Sequence, residues 1–163
     1  MIAGLRDLLR RWLEALLRID DTPERTAAAY AVGVFFGFSP FLGLHTVLGI
    51  AAAFVFRLNR VAVVIGVYSN LPWILVPYYT LATALGAFVT RQRLPPGFRE
   101  RLAELSAVPF HDWSFWSEVG KLLEPLLWPY MVGSFLGSLA LAAAAYKLAF
   151  AFVTTRRRHR EAR

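Results

Sequence analysis

The sequence contains no cysteine and comparatively few charged residues. Without cysteine, the chain has no disulfide, no thiolate metal ligand and no cysteine nucleophile. Charged residues occupy 18% of the 163 positions, against about 25% in typical globular domains, whereas apolar residues occupy 57%. The mean hydropathy of +0.47 is too high for an ordinary soluble domain. The composition therefore favours a membrane protein.

Charge is missing altogether from three long stretches. Residues 26–56, 61–90 and 125–146 contain no Asp, Glu, Lys or Arg. The hydrocarbon core of a bilayer is about 30 Å thick, and about 20 apolar residues cross it as a helix. Each stretch is long enough to enter a membrane, which excludes a disordered chain, a fibrous repeat and a soluble enzyme fold.

The sequence motifs of common enzymes are also missing. There is no phosphate-binding glycine loop, no dinucleotide fingerprint and no His-Glu-x-x-His zinc helix. The uncharged stretches hold no carboxylate, which argues against a proton pump. We therefore expect no catalytic residue, no metal site and no cofactor.

Acidic residues are fewer than basic ones. The chain has 11 Asp and Glu against 18 Lys and Arg, a formal charge of +7 that would suggest nucleic acid as the partner of a soluble protein. Basic residues also collect beside membrane segments on the cytoplasmic side, and no groove-reading motif accompanies the charge. We expect membrane lipids with anionic head groups as partners, and no nucleic acid.

The chain divides into three segments. Residues 1–21 place leucines on one helical face and charged residues on the other, which predicts an amphipathic helix. This helix lies in the membrane interface, or it packs on the rest of the domain or on a second copy. The membrane domain covers residues 22–152, with Thr22 and Pro23 as the predicted helix start, and residues 153–163 form a basic tail.

The first two uncharged stretches are each interrupted near the middle. As a straight helix, residues 26–56 would extend about 46 Å, which is more than one membrane crossing needs. The helix-breaking glycines and prolines, with their polar neighbours, are Gly37, Ser39, Pro40 and Gly43 in the first stretch and Gly66, Asn70 and Pro72 in the second. We predict two broken membrane elements, 26–56 and 61–90, that are either re-entrant or spanning.

The two broken elements resemble each other. Residues 33–40 and 66–72 both read Gly, Val, aromatic and, after a few residues, Pro, with a further aromatic next in the chain. Both segments continue through an apolar run to a closing arginine, Arg57 or Arg91. The match is a weak indication of an internal repeat, since apolar segments also resemble one another through composition alone.

The remaining chain contains a polar section and a last apolar segment. Residues 91–124 carry an aromatic cluster typical of a membrane interface, namely Phe110, Trp113, Phe115 and Trp116. The largely apolar residues 125–152 are predicted to form a transmembrane helix. Its Gly133 and Gly137 are spaced for close helix contact, so a homo-oligomer could form through them.

Three motifs link the sequence to a known family. They are AVGVFFGFSPFLGLHT at residues 31–46, Arg57-Leu-Asn59-Arg60, and Ser69-Asn70-Leu-Pro72. Over residues 22–150 the chain resembles a family of small bacterial membrane proteins catalogued as domain of unknown function 2062. The resemblance implies the bacterial inner membrane as the location, and it implies no particular activity.

The two breaks allow two interpretations. Ser39 followed by Pro40 is typical of an N-cap and a first helical residue, and Asn70 could cap the second helix in the same way. Helix N-termini bind anions, so the breaks predict a site for a small anion or a lipid phosphate. Alternatively, the prolines only kink packed helices, and Ser39 and Asn70 satisfy the freed backbone groups.

Four further residues complete the candidate site. His45 is the only histidine in the uncharged stretches, and it could bind a phosphate, take up a proton or cap a neighbouring carbonyl. Arg57, Asn59 and Arg60 lie between the broken elements and either anchor the chain at the membrane surface or bind a head group. The predicted substrate-binding residues are Ser39, Pro40, His45, Arg57, Asn59, Arg60 and Asn70.

Together these features predict an all-α, polytopic membrane protein with an amphipathic N-terminal helix, two broken elements and a C-terminal transmembrane helix. The basic residues at both ends place both termini in the cytoplasm. The expected function is to bind or move a small anionic or phosphate-bearing lipid substrate. The alternative is a non-catalytic scaffold that docks a partner through its amphipathic helix and the face of Gly133 and Gly137.

Overall fold

A computed structural model describes residues 22–41, 43–92, 96–106 and 113–161 of the chain. In these residues the secondary structure is α-helical without strands, so the all-α prediction is confirmed. The helices are α1 (Pro23–Phe38), α2 (His45–Val55), α3 (Arg60–Val67), α4 (Pro72–Thr90), α5 (Phe98–Ser106) and α6 (Trp113–Glu161). The predicted amphipathic helix of residues 1–21 lies outside the described part of the chain.

The helices form two compact units. Unit 1 contains α1, α2, α3 and the part of α6 from Gly137 onward. Unit 2 contains residues 73–136, which include most of α4, all of α5 and the first half of α6. The candidate site residues predicted from the sequence all lie in unit 1.

Side-chain caps start two helices of unit 1. The Thr22 hydroxyl accepts a hydrogen bond from the Arg25 amide at 3.3 Å, and Pro23 is the first residue of α1, as predicted. The Asn59 side-chain oxygen accepts from the Ala62 amide at 3.1 Å and so starts α3. Short links join α1 to α2 and α2 to α3, so the chain reverses direction twice and α1 and α3 run parallel.

Glycines allow α1 and α3 to pack with their backbones in contact. A Cβ atom built on Gly33 would lie 2.9 Å from the Cα of Gly66, and one on Gly37 would lie 2.6 Å from the Val67 carbonyl oxygen. Gly37 and Gly66, two of the predicted break residues, are each the last residue but one of a helix. Both lie inside helices, and their missing side chains permit close packing.

Small and β-branched side chains fill the space around this crossing. Ala29 from α1, Ala53 from α2, and Ala62, Val63 and Val67 from α3 form the buried core of unit 1. The other two predicted break residues lie at the start of a helix. Gly43 adopts a left-handed conformation (φ 83°) just before α2, and Pro72 is the first residue of α4.

In unit 2, α4 and the first half of α6 pack against each other in antiparallel orientation. A side chain on Gly86 would collide with the backbone of Pro129, and one on Gly133 would collide with the Ala82 carbonyl. The Tyr78 hydroxyl donates to the Ser134 carbonyl at 3.1 Å. The face at Gly133 is thus in contact with α4 of the same chain, and an oligomer through Gly133 and Gly137 stays a prediction.

The helix α6 is longer than the segment predicted from hydropathy. It has 49 residues, about 74 Å, and extends beyond residues 125–152 at both ends. Its first turns continue through the polar residues Glu118 and Lys121, which form an exposed ion pair at 2.7 Å. The lack of charge therefore marks the apolar part of this helix and does not mark its ends.

Two helices among the described residues are long and apolar enough to cross a membrane. They are Pro72–Thr90 and the segment Phe115–Arg156 of α6, whereas His45–Val55 is apolar but shorter. Large apolar side chains on these helices are exposed: Trp73 is 71%, Phe88 82% and Leu148 72% accessible. Soluble monomers rarely expose such extended apolar surface.

Candidate functional site

The predicted site residues lie at opposite ends of unit 1. Ser39, Pro40, His45 and Asn70 lie where α1 and α3 end and α2 begins, which we call the break end. Arg57, Asn59 and Arg60 lie where α2 ends and α3 begins, which we call the arginine end. The length of α2, about 16 Å for 11 residues, separates the two. The seven residues therefore do not form a single site.

At the break end, Ser39 ends a helix and does not start one. Its hydroxyl donates to the Phe36 carbonyl at 2.8 Å, so it satisfies the last turn of α1. The next helix begins only at His45, after Leu44, which makes no side-chain cap hydrogen bond. The predicted N-cap at Ser39 with Pro40 as first helical residue is wrong, because the Ser39 hydroxyl donates to a carbonyl at the end of α1.

Asn70 also binds the end of α1. Its side-chain amide donates to the Gly37 carbonyl at 2.8 Å, and it precedes Pro72 by two residues, one too many for an N-cap. Ser69 donates to the Ile65 carbonyl at 3.0 Å, so the Tyr30 hydroxyl, 3.0 Å from the Ser69 hydroxyl, is the donor of that pair. These hydrogen bonds are the ones expected if the side chains near the breaks satisfy backbone groups, which was the second interpretation of the breaks.

His45 is the first residue of α2 and is partly buried. A helix that began at Pro40, as predicted, would hold His45 in its interior, whereas α2 begins at His45 itself. Its suggested roles in binding a phosphate or taking up a proton stay predictions.

At the arginine end, the backbone of Arg57 is fixed by a tight helix ending. Arg57 has a left-handed conformation with φ 51°, its amide donates to the Phe54 carbonyl at 3.3 Å, and the Leu58 amide donates to the Ala53 carbonyl at 2.8 Å. This pair of hydrogen bonds is the Schellman motif, in which glycine is the usual left-handed residue. A side chain at this position costs about 1 kcal/mol or more.

Two further arginines have side-chain contacts at the same end. Arg25, from the first turn of α1, donates to the Arg57 carbonyl at 2.7 Å, and the Arg60 guanidinium lies 4.1 Å above the ring of Phe54. All three arginines are exposed, and Glu24 is the only carboxylate among the described side chains of unit 1. The arginine end therefore carries net positive charge.

Residues 6–162 match the family described as "Uncharacterized protein conserved in bacteria (DUF2062)". The chain belongs to this family. The match spans nearly the whole sequence and includes both ends of unit 1. No curated protein and no solved structure matches the DUF2062 chain.

The two ends of unit 1 in this DUF2062 protein differ in what their polar side chains contact. At the break end, Ser39, Ser69 and Asn70 donate to main-chain carbonyls, so these donors stabilise the turns. At the arginine end, guanidinium groups are presented on ordered backbone, and Asn59, only 4% exposed, keeps a side-chain nitrogen without a hydrogen-bond partner. Planar guanidinium groups bind phosphate through paired hydrogen bonds.

Sequence reasoning missed Arg25 and Tyr30. Arg25 stands directly before the first uncharged stretch, where a positive charge at a membrane surface is expected, and this position was the available signal. Tyr30 contacts Ser69 across 39 residues of sequence, a distance over which no local pattern connects the two.

Proposed function

We propose that this DUF2062 protein is an integral membrane protein that binds phosphate-bearing lipids at the arginine end of unit 1. The observation that carries the proposal is the location of Arg25, Arg57 and Arg60 at one end of unit 1, beside largely exposed apolar helix surface. A phospholipid offers the matching pair of groups, an anionic phosphate and apolar chains.

The membrane location is supported by length and exposure together. The helix α4 has 19 residues, about 28 Å, which is close to the thickness of the hydrocarbon core. Its large exposed side chains are aromatic or aliphatic, as lipid requires, and include Trp73 and Phe88. The basic residues at both ends of the chain support a bacterial inner-membrane protein with both termini in the cytoplasm.

We place α1 and α2 as a re-entrant hairpin. Each is shorter than a full crossing, at 16 and 11 residues, and Glu24 and Arg57 lie at the same end of the hairpin. That end then lies at the membrane surface and the break end lies in the bilayer. The side-chain hydrogen bonds of Ser39 and Asn70 fit this placement, because non-helical backbone in the membrane needs protein partners.

The guanidinium groups are arranged for a head group. Arg60 is held by Phe54, and Arg25 is held by the Arg57 carbonyl, so little side-chain freedom is lost when a phosphate binds. Arg57 has a left-handed backbone conformation, in which glycine would be less strained. The presence of arginine there supports a role for its side chain. We therefore assign a structural role to the breaks. The lipid-binding site, which the sequence predicted at the helix N-termini of the breaks, is proposed at the arginine end instead.

Lipid binding to the purified full chain tests this proposal. Dioleoyl phosphatidylglycerol and dioleoylglycerol have the same acyl chains, and only the first carries a phosphate. We expect native mass spectrometry in detergent to show preferential binding of the phosphatidylglycerol. The double variant Arg57→Gly, Arg60→Gln should bind it about 30-fold more weakly, because each arginine contributes about 1 kcal/mol at a charged membrane surface.

The matched control is Arg101→Gln, which removes an exposed arginine from α5 and leaves the arginine end intact. It should bind phosphatidylglycerol like the wild type. Equal binding by the double variant, or equal binding of both lipids by the wild type, would reject lipid-phosphate recognition at this end and favour the scaffold alternative.

A further inference from the structure

The helix α4 ends with the same sequence and the same geometry as α2. The two endings read Ala53-Phe-Val-Phe-Arg57 and Ala87-Phe-Val-Thr-Arg91, identical at four of five positions. Arg91 is left-handed with φ 54°, close to the 51° of Arg57. The Arg91 amide donates to the Phe88 carbonyl at 3.3 Å and the Gln92 amide to the Ala87 carbonyl at 2.9 Å. Both helices thus end in a Schellman motif with arginine in the glycine position.

The strained backbone conformation of Arg91 suggests that its side chain has a function. Arg57 and Arg91 are the two non-glycine residues with positive φ among those the structure describes. Glycine adopts this conformation without a steric penalty, so an arginine at both positions has to be explained by its guanidinium group. Favourable interaction with the helix C-terminus explains part of the preference for a cation.

Three carbonyls near this helix end accept hydrogen bonds from the residues that close the helix. The Gly86 carbonyl accepts from the Thr90 hydroxyl at 2.7 Å, and the Ala87 and Phe88 carbonyls accept the two amides of the Schellman motif. These hydrogen bonds reduce the negative potential of the helix C-terminus. The Arg91 side chain is exposed, so its charge is accessible to an anion at this surface.

A cavity adjoins Arg91 and combines polar and apolar walls. It is open, has a volume of about 730 Å³, and is lined by Ala87, Phe88, Val89, Arg91 and Gln92. Phe88 is 82% and Val89 49% exposed, and both extend the apolar wall outward. Such a cavity offers a charged donor group beside a surface suited to a hydrocarbon chain.

We propose that this cavity is a second binding site for a phosphate-bearing lipid, separate from the arginine end of unit 1. The Arg91 guanidinium donates to the phosphate oxygens, and the Gln92 side-chain amide can donate a further hydrogen bond. An acyl chain lies along Phe88 and Val89. The chemistry of recognition is that of a phosphate group, and the apolar wall favours a lipid over free phosphate as its source.

The substitution Arg91→Gly tests the site without straining the fold. Glycine suits the left-handed backbone, so the thermal midpoint of the full chain should be unchanged or higher. Binding of dioleoyl phosphatidylglycerol at this site should nevertheless weaken about fivefold, the factor for one arginine at a charged membrane surface. Arg91→Gln is a second variant that removes the charge and keeps a side chain, and it should weaken binding equally.

Native mass spectrometry of the full chain separates the two sites. A titration with phosphatidylglycerol should show two binding steps in the wild type. One step should be about fivefold weaker in Arg91→Gly, and the other about 30-fold weaker in the double variant Arg57→Gly, Arg60→Gln. The Arg101→Gln control should bind both lipids like the wild type. Unchanged affinities in Arg91→Gly would overturn the second site and leave the first intact, whereas unchanged affinities in the double variant would reject only the first.

Competition by soluble ligands identifies the source of the phosphate. Millimolar inorganic phosphate or glycerol 3-phosphate should leave the lipid bound, because neither contacts the apolar wall. Displacement of the lipid from the Arg91 cavity by inorganic phosphate alone would show free phosphate to be the ligand and would overturn the lipid assignment. Equal retention of dioleoylglycerol at this cavity would also overturn it, since that lipid has no phosphate.

Discussion

Single side chains at the break end of unit 1 satisfy the last carbonyls of α1. Ser39, 1% exposed, donates to Phe36, and Asn70 donates to Gly37 from 33 residues further along the chain. Both hydrogen bonds replace intrahelical bonds that the helix end lacks. The two residues therefore join α1 to the segment that follows α3.

Removing these side chains should destabilise the protein and spare lipid binding. We expect Ser39→Ala and Asn70→Ala each to lower the free energy of unfolding by about 1 kcal/mol, because each removes a side-chain hydrogen bond to a carbonyl at the end of α1. Thermal unfolding of the full chain in detergent measures the loss, and phosphatidylglycerol binding should be unchanged within twofold.

Thr80→Ala is the control for this pair. The Thr80 hydroxyl is exposed and donates to the Val76 carbonyl inside α4, so its removal should have little effect on thermal unfolding. A loss as large as that of Ser39→Ala would contradict the structural role assigned to the break end, and so would a strong loss of lipid binding in Ser39→Ala.

At this scale the sequence left two roles open for Ser39 and Asn70, and their hydrogen bonds are those of the structural role. Serine, asparagine and proline occur both before and after helices, so Ser39-Pro40 is compatible with an N-cap and with a helix end. The hydrogen bond to Phe36 decides between the two, and it depends on where the carbonyls of α1 lie. Thr22 and Pro23 were predicted correctly because their pattern precedes a long helical run.

At the scale of helices, the fold of unit 1 depends on the crossing of α1 and α3. Gly33 contacts Gly66 with backbone against backbone, and the contact is reciprocal: a Cβ on either glycine would lie 2.9 Å from the Cα of the other. Backbone atoms in two helices cannot rotate away as the end of a side chain can. The crossing therefore tolerates no added side chain.

We expect Gly33→Ala to destabilise unit 1 by about 3 kcal/mol, at the upper end of the usual cost of overpacking. Gly120→Ala is the matched control, since Gly120 is also inside a helix and a Cβ there would meet no atom within 4 Å. That variant should be neutral or more stable by up to about 1 kcal/mol, because alanine favours helix. Thermal unfolding of both variants in the same detergent gives the comparison, and similar midpoints would refute the tight crossing.

Helix positions were easier to predict than helix ends and contacts. Charge-free stretches located α4 and the apolar part of α6, since lipid-facing helices need apolar residues throughout. The full length of α6 was missed because its first turns carry charges paired at the surface, such as Glu118 with Lys121. The roles of Gly37 and Gly66 were missed because a glycine in a single sequence indicates a break and a close contact equally well.

In the whole molecule, the two units each combine exposed apolar surface with an arginine at a helix end. The sequence predicted the apolar surface from composition, and it predicted Arg57, Asn59 and Arg60 as candidates from their place between the uncharged stretches. It did not separate these residues from Ser39 and His45, because the reversal of the chain at the end of α1 decides which residues come together. The family match adds no activity that would choose between the two ends.

The most direct test of lipid-phosphate binding at the arginine end is to locate the head group of a bound lipid. The full chain is reconstituted with phosphatidylglycerol that carries a photoreactive group on its glycerol head, irradiated, and digested for peptide mass spectrometry. We predict crosslinks in the residues around Arg25 and in residues 54–60. Crosslinks confined to the break end, residues 39–44 and 68–71, would contradict this assignment, and so would a pattern that Arg57→Gly with Arg60→Gln leaves unchanged.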